Sequence, residues 1–156
     1  MSVATLGALP DSVSAIVVCD GRPLAGMFVH VRILTSCKND FNSVFGPTDT
    51  SGSVCFTRDA LLEDSRRAAN LALMDYCHPE KSYAGRMEVQ PMGRTGLQAA
   101  LHGYEAWRES AVFPPSYAER LQEAISILEP LAPARLSVEL NASGGSGEVA
   151  AMSAEA

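Results

Sequence analysis

The chain has 156 residues, 47% of them hydrophobic and 19% charged, with a formal net charge of −6. That length predicts one globular domain with a real core. The acidic balance excludes a nonspecific nucleic-acid surface, and no apolar run approaches the roughly 20 residues that cross a bilayer.

Ten arginines stand against two lysines. With the abundance of alanine, this reads as coding bias and not as a phosphate-binding device. The four cysteines, Cys19, Cys37, Cys55 and Cys77, are widely spaced, with no C-x-x-C pair to suggest a zinc ribbon. Met1 to Asp11 is small and polar, without the basic and apolar regions of a signal peptide. The expectation is a cytoplasmic, reduced protein, with Cys19 and Cys55 as small buried hydrophobes on strands.

The first strong pattern runs from Val13 to Cys19. It ends apolar on both parities at Ile16, Val17 and Val18, as a central strand covered on both sides would. Asp20-Gly21-Arg22-Pro23 is turn chemistry. From Gly26 the residues alternate. Met27, Val29, Val31 and Ile33 face the core, and Phe28, His30, Arg32 and Leu34 face outward. Cys37 to Asn42 is a loop. A second hairpin is expected next. Val44 and Phe45 lead through Gly46-Pro47 and Thr48-Asp49-Thr50-Ser51-Gly52 to Val54, Cys55 and Phe56. Asp49 accepts backbone N–H bonds in that turn, and Gly52 takes the left-handed position.

Two stretches carry a resemblance. Asp20 to Val31 (DGRPLAGMFVHV) and Thr48 to Phe56 (TDTSGSVCF) are similar to the first half of transthyretin-like and carboxypeptidase-regulatory-like sandwich domains, over residues 17–57. The resemblance implies a prealbumin-like β-sandwich. The transthyretin-like group includes a purine-pathway hydrolase that needs particular His and Arg residues and a C-terminal Tyr-Arg-Gly-Ser. That tetrapeptide is absent here, and Cys19 stands just ahead of the Asp-Gly turn where a His is needed. The activity is not carried over.

After Thr57 the period becomes helical. Thr57 is the expected N-cap, Asp59 sits in the first turn, and Leu61, Leu62, Ser65, Ala69, Ala72 and Leu73 form the inward stripe. Glu63 and Arg67 make an i,i+4 pair, and the helix stops before Pro79. Arg86 to Gln90 alternates again, with Met87 and Val89 inward. Two helices follow, Thr95 to Ser110 and Ser116 to Glu129, each opened by a capping box (Thr95 with Gln98, Ser116 with Glu119). Leu97, Leu101, Tyr104 and Trp107 stripe the first. Leu121, Ala124, Ile125 and Leu128 stripe the second. The Pro114-Pro115 link favours an antiparallel pair. Arg135 to Asn141 is a last strand with Leu136, Val138 and Leu140 inward. The globular domain is expected over 1–141, and 142–156 (Ala-Ser-Gly-Gly-Ser-Gly-Glu onward) as a flexible tail.

The chemically able groups are few. Asp75, Cys77, His78 and Glu80 form the one local cluster, but sequence neighbours on a loop point apart and make a poor nucleophile–base pair. Its plain reading is a loop anchoring Tyr76 and Tyr83. His30, His78 and His102 fall on a strand, a loop and a helix without ligand spacing. Asp49 reads as a turn residue, and Trp107 as a core anchor. There is no Walker loop, dinucleotide turn, G-x-S-x-G or basic run.

The fold expected is α+β, a prealbumin-like sandwich of about six to seven strands with one helix after the second hairpin and a late helical pair. The function expected is a non-catalytic interaction module, without cofactor or metal. It binds a protein partner or another copy through a sheet edge or the helical pair. The alternative is a transthyretin-like small-molecule-binding or hydrolytic protein. A deep pocket lined by His30, His78 or Arg32 favours the alternative, and a flat apolar patch favours the first reading.

Overall fold

The computed structural model describes residues 8–36, 40–63, 82–107, 116–145 and 147–156, without the side chains of 104–107. The protein is α+β, with nine strands in two sheets among these residues. In the first sheet β1 (Ser12–Cys19) is central. β7 (Arg135–Ser143) runs antiparallel along one side of it, and β5 (Ser53–Thr57) and the two-residue β2 (Arg22–Pro23) share the other. β9 (Ser153–Glu155) adds to β7. The second sheet has the order β4-β3-β6-β8, from β4 (Phe41–Phe45), β3 (Val29–Thr35), β6 (Tyr83–Pro91) and β8 (Glu148–Ala151).

Alternation explains the strands. Val13, Ala15 and Val17 of β1, Val29, Val31 and Ile33 of β3, Met87 and Val89 of β6, and Leu136 and Val138 of β7 are all buried in one hydrophobic cluster. Each of these side chains larger than alanine contributes about 1.5–3 kcal/mol when fully buried. Asp20 and Gly21 take positive φ (50° and 78°) and close the two-residue turn between β1 and β2, as a type I′ hairpin requires. Phe28 departs from the alternation. It is fully buried, with its ring edge-on to Tyr117 at 5.8 Å, because a helix covers the outward side there.

The stretch from Val44 to Phe56 is not a hairpin. β4 pairs with β3 and β5 with β1, so the chain crosses from one sheet to the other between them. Thr48, buried, holds the crossing against residues 24–27. Its Oγ1 donates to the Leu24 carbonyl at 2.7 Å and accepts from the Met27 N–H at 2.9 Å. The tight turn Asp49–Gly52 opens β5 instead of joining two paired strands. Cys55 is exposed, since β5 turns Phe56 inward and Cys55 outward; of the two cysteines expected to be buried, Cys19 is.

Residues 58–63 are helical. Thr57 Oγ1 accepts from the Ala60 N–H at 3.2 Å, and Leu61 and Leu62 are buried. The rest of that helix's predicted stripe lies outside the described residues. α1 (Arg94–Trp107) begins one residue before Thr95, so Thr95 sits inside the first turn and does not cap it. α2 (Ser116–Leu128) buries Leu121, Ala124, Ile125 and Leu128, the four residues of its stripe. Leu97 of α1 is buried and Leu101 half-buried, while the Tyr104 and Trp107 side chains fall outside the described residues.

The stretch from Ala142 is not a free tail. β7 runs on to Ser143, β8 pairs in parallel with β6, and β9 pairs antiparallel with β7. Composition misses these strands because their pairing is made by backbone groups, with small residues offering no apolar pattern. The strand count therefore exceeds six or seven.

Candidate functional site

The second sheet carries a polar outer face. With Val29, Val31 and Ile33 turned inward, His30 and Arg32 stand on the far side of β3. The register sets Arg32 between Asn42 of β4 and Glu88 of β6, and His30 between Val44 and Gln90. Arg32 Nε and Nη2 both donate to Asp40 Oδ2, at 2.9 and 2.6 Å, and Nη1 lies 3.5 Å from Glu88 Oε2. Arg86 reaches the same Glu88 at 3.7 Å. The hydrogen bond and charge of Asp40 push the Arg32 guanidinium further up. His30 Nε2 lies 2.9 Å from Asn42 Oδ1.

These groups hold one another. Among the described residues His30 bonds an amide oxygen, not a hydroxyl or thiol, so no nucleophile–base pair forms. Nor does any group of three or more His, Cys, Asp or Glu among them stand ready to hold a metal ion. At one end of the face is a half-open pocket of about 340 Å³, lined by His30, Gln90, Gly93, Thr95, Gly96 and Glu155 among others. It exists because β9 passes close to the start of α1. A Cβ at Gly93 would collide with the Glu155 carbonyl.

β4 bounds this face. It reads Phe-Asn-Ser-Val-Phe and pairs with β3 on one side; among the described residues nothing pairs with its other side. It contains no charge and no proline, the usual devices that blunt an edge. Phe41 and Ser43 are buried on its inner side, and Phe45 stacks on Phe56 with ring centroids 4.6 Å apart. Ser43 is only 3% exposed, yet among the described residues its Oγ has no hydrogen-bond partner. The sequence reading passed over Ser43. The signal was a small polar residue at an inward parity between two phenylalanines.

A second surface is the shallow groove between the helices, lined by Leu101, Ala118, Gln122, Glu123 and Ile127 among others. Ile127 and Leu131 are the exposed large aliphatics near it in sequence.

Of the residues singled out in the sequence, Asp75, Tyr76, Cys77, His78 and Glu80 lie outside the described residues. His30 and Arg32 share the polar face, whereas His102 is exposed on α1. Asp49 is a turn residue. Its Oδ1 accepts from the Ser51 N–H at 2.9 Å, the Ser53 N–H at 3.0 Å and the Ser51 hydroxyl at 2.6 Å. Compared with protein-family models, curated proteins and solved structures, the chain has no significant match.

Proposed function

We propose that this chain is a non-catalytic, soluble, cytoplasmic interaction module on a prealbumin-like β-sandwich, and that it docks a protein partner along the outer edge of β4. The unblunted edge carries the reading. Five uncharged, proline-free residues offer their backbone groups on a side where no described residue pairs with them. The sandwich reading draws on one core shared by two sheets and on the transthyretin-like motifs over 17–57. The cytoplasmic reading draws on the free thiols of Cys19 and Cys55. Affinity capture from the native host compares wild type with Val44→Lys on the edge and Glu123→Lys on the helical groove. A partner retained by Glu123→Lys and lost with Val44→Lys supports the edge. The opposite pattern moves docking to the helices and overturns it.

The pocket lined by His30 favours a second reading, binding of a small polar molecule. A thermal-shift screen with metabolites tests it. Hits that disappear in His30→Ala support that reading, and their persistence removes it.

A further inference from the structure

We propose that the groove between α1 and α2 docks a basic amphipathic helix of a partner protein. This goes beyond the β4 edge, which is a separate surface; either holds without the other.

α2 buries Leu121, Ala124, Ile125 and Leu128 and turns its opposite side outward. On that side Glu119, Glu123 and Ile127 follow at four-residue spacing, two carboxylates and then an aliphatic along one stripe. Leu131 comes four residues on, in a short 3-10 turn (Glu129–Leu131). Ile127 and Leu131 are two of the three large hydrophobics exposed among the described residues, so exposed apolar surface gathers at this end of α2. Ile127 is already held in place. Its Cδ1 packs over Gly26, where an added Cβ would come within 2.9 Å of it. A side chain fixed before docking loses little freedom on docking. Ser126, also on the groove, turns its hydroxyl back to the Gln122 carbonyl at 3.1 Å.

Charge names the occupant. Among the described residues the groove is lined by two carboxylates and no cation. Neither Glu119 nor Glu123 is in an ion pair among those residues, although Arg120 stands between them in sequence. Like charges four apart on a helix repel, and a cation beside them relieves both. The partner therefore brings Lys or Arg to this end and apolar side chains to Ile127 and Leu131. The same carboxylates, in a chain of net charge −6, turn away nucleic acid and anionic lipid. A second copy seated α2 against α2 would set these glutamates against their own kind.

Backbone chemistry makes the partner a helix. α1 and α2 satisfy their backbone groups internally, so an extended strand finds no ladder to join there. A helix carries its own backbone bonds and offers side chains alone. The stripe from Glu119 to Leu131 is about 18 Å long, roughly three turns of such a helix. The groove is shallow, which suits a macromolecule and not a small ligand that must be mostly enclosed.

The probe is a synthetic stapled helix of about four turns, with Lys and Arg beside an apolar stripe, and a twin with Glu at each basic position. Fluorescence anisotropy follows both against the full chain. The basic peptide should bind and its twin should not. Ile127→Ala, and Glu119→Gln together with Glu123→Gln, should each weaken binding by about fivefold. Glu119→Lys with Glu123→Lys should reverse the preference between the two peptides. All these positions are exposed, and an unchanged far-UV circular dichroism spectrum confirms the fold of each variant. Val44→Lys should leave peptide binding as in wild type, which keeps this test apart from that of the β4 edge. A wild type that ignores the basic peptide overturns the inference. So does a charge-reversed variant that still prefers the basic peptide, since the attraction is then to the acidic chain as a whole. Self-association of wild type that the peptide displaces gives the groove to a second copy and overturns it too.

Discussion

Gly52 has φ +78°, and a Cβ there would lie 2.7 Å from the Pro23 Cβ and 2.9 Å from the Leu24 nitrogen. Gly52→Val therefore meets two costs, about 1–2 kcal/mol for the left-handed backbone and about 1–3 kcal/mol for crowding. Asp49→Ala loses hydrogen bonds in solvent and is expected to cost less; denaturant melts of both variants compare them. The bonds from Ser51 and Ser53 hold the Asp49 carboxyl below the usual range. Its folded pKa is depressed, so its contribution is present above the unfolded pKa and fades as pH falls through the folded one. Asp49→Ala should flatten that part of the acid limb of stability and leave its slope near neutrality unchanged. At Cys19, burial first and then Asp20 push the thiol up, away from the thiolate. Alkylation mapped by mass spectrometry should modify exposed Cys55 in the native protein and reach Cys19 only after unfolding.

At the scale of elements, β8 and β9 bear on stability most directly. A chain ending at Ser143 lacks both strands and uncovers edges of β6 and β7. The expected loss is roughly 3 kcal/mol or more, a fall in Tm of about 10 °C. A melting temperature unchanged by the truncation would show that neither strand supports the fold. Gly93→Ala gives the milder version. It leaves every residue of β9 in place and presses on the Glu155 carbonyl, so it should melt between wild type and the truncation.

Across the whole molecule, Phe28 joins the sheets to the helices. It is fully buried, directly follows Met27, to which Thr48 ties the crossing, and meets Tyr117 of α2. Phe28→Ala should cost about 3–5 kcal/mol. Fluorescence and far-UV circular dichroism should lose sheet and helix signals in one transition, because one core serves both. Two separate transitions would show that the helices fold independently of the sheets.

The periods of β1, β3, β6 and β7 and the stripe of α2 were legible in the sequence, because alternation and helical spacing record which face of an element leaves water. So was the role of Asp49, a matter of bonds within five residues. Pattern does not record the neighbour a strand finds. β4 and β5 look like a hairpin, yet they joined different sheets, and that choice left β4 an edge among the described residues. The segment after Ala142 has almost no apolar signal, yet it became two strands, since ladder hydrogen bonds are made by backbone common to all residues. The unpartnered hydroxyl of Ser43 arises the same way. Only the tertiary structure decided that an inward serine would sit on an outer strand, with no described residue beyond it to accept its proton.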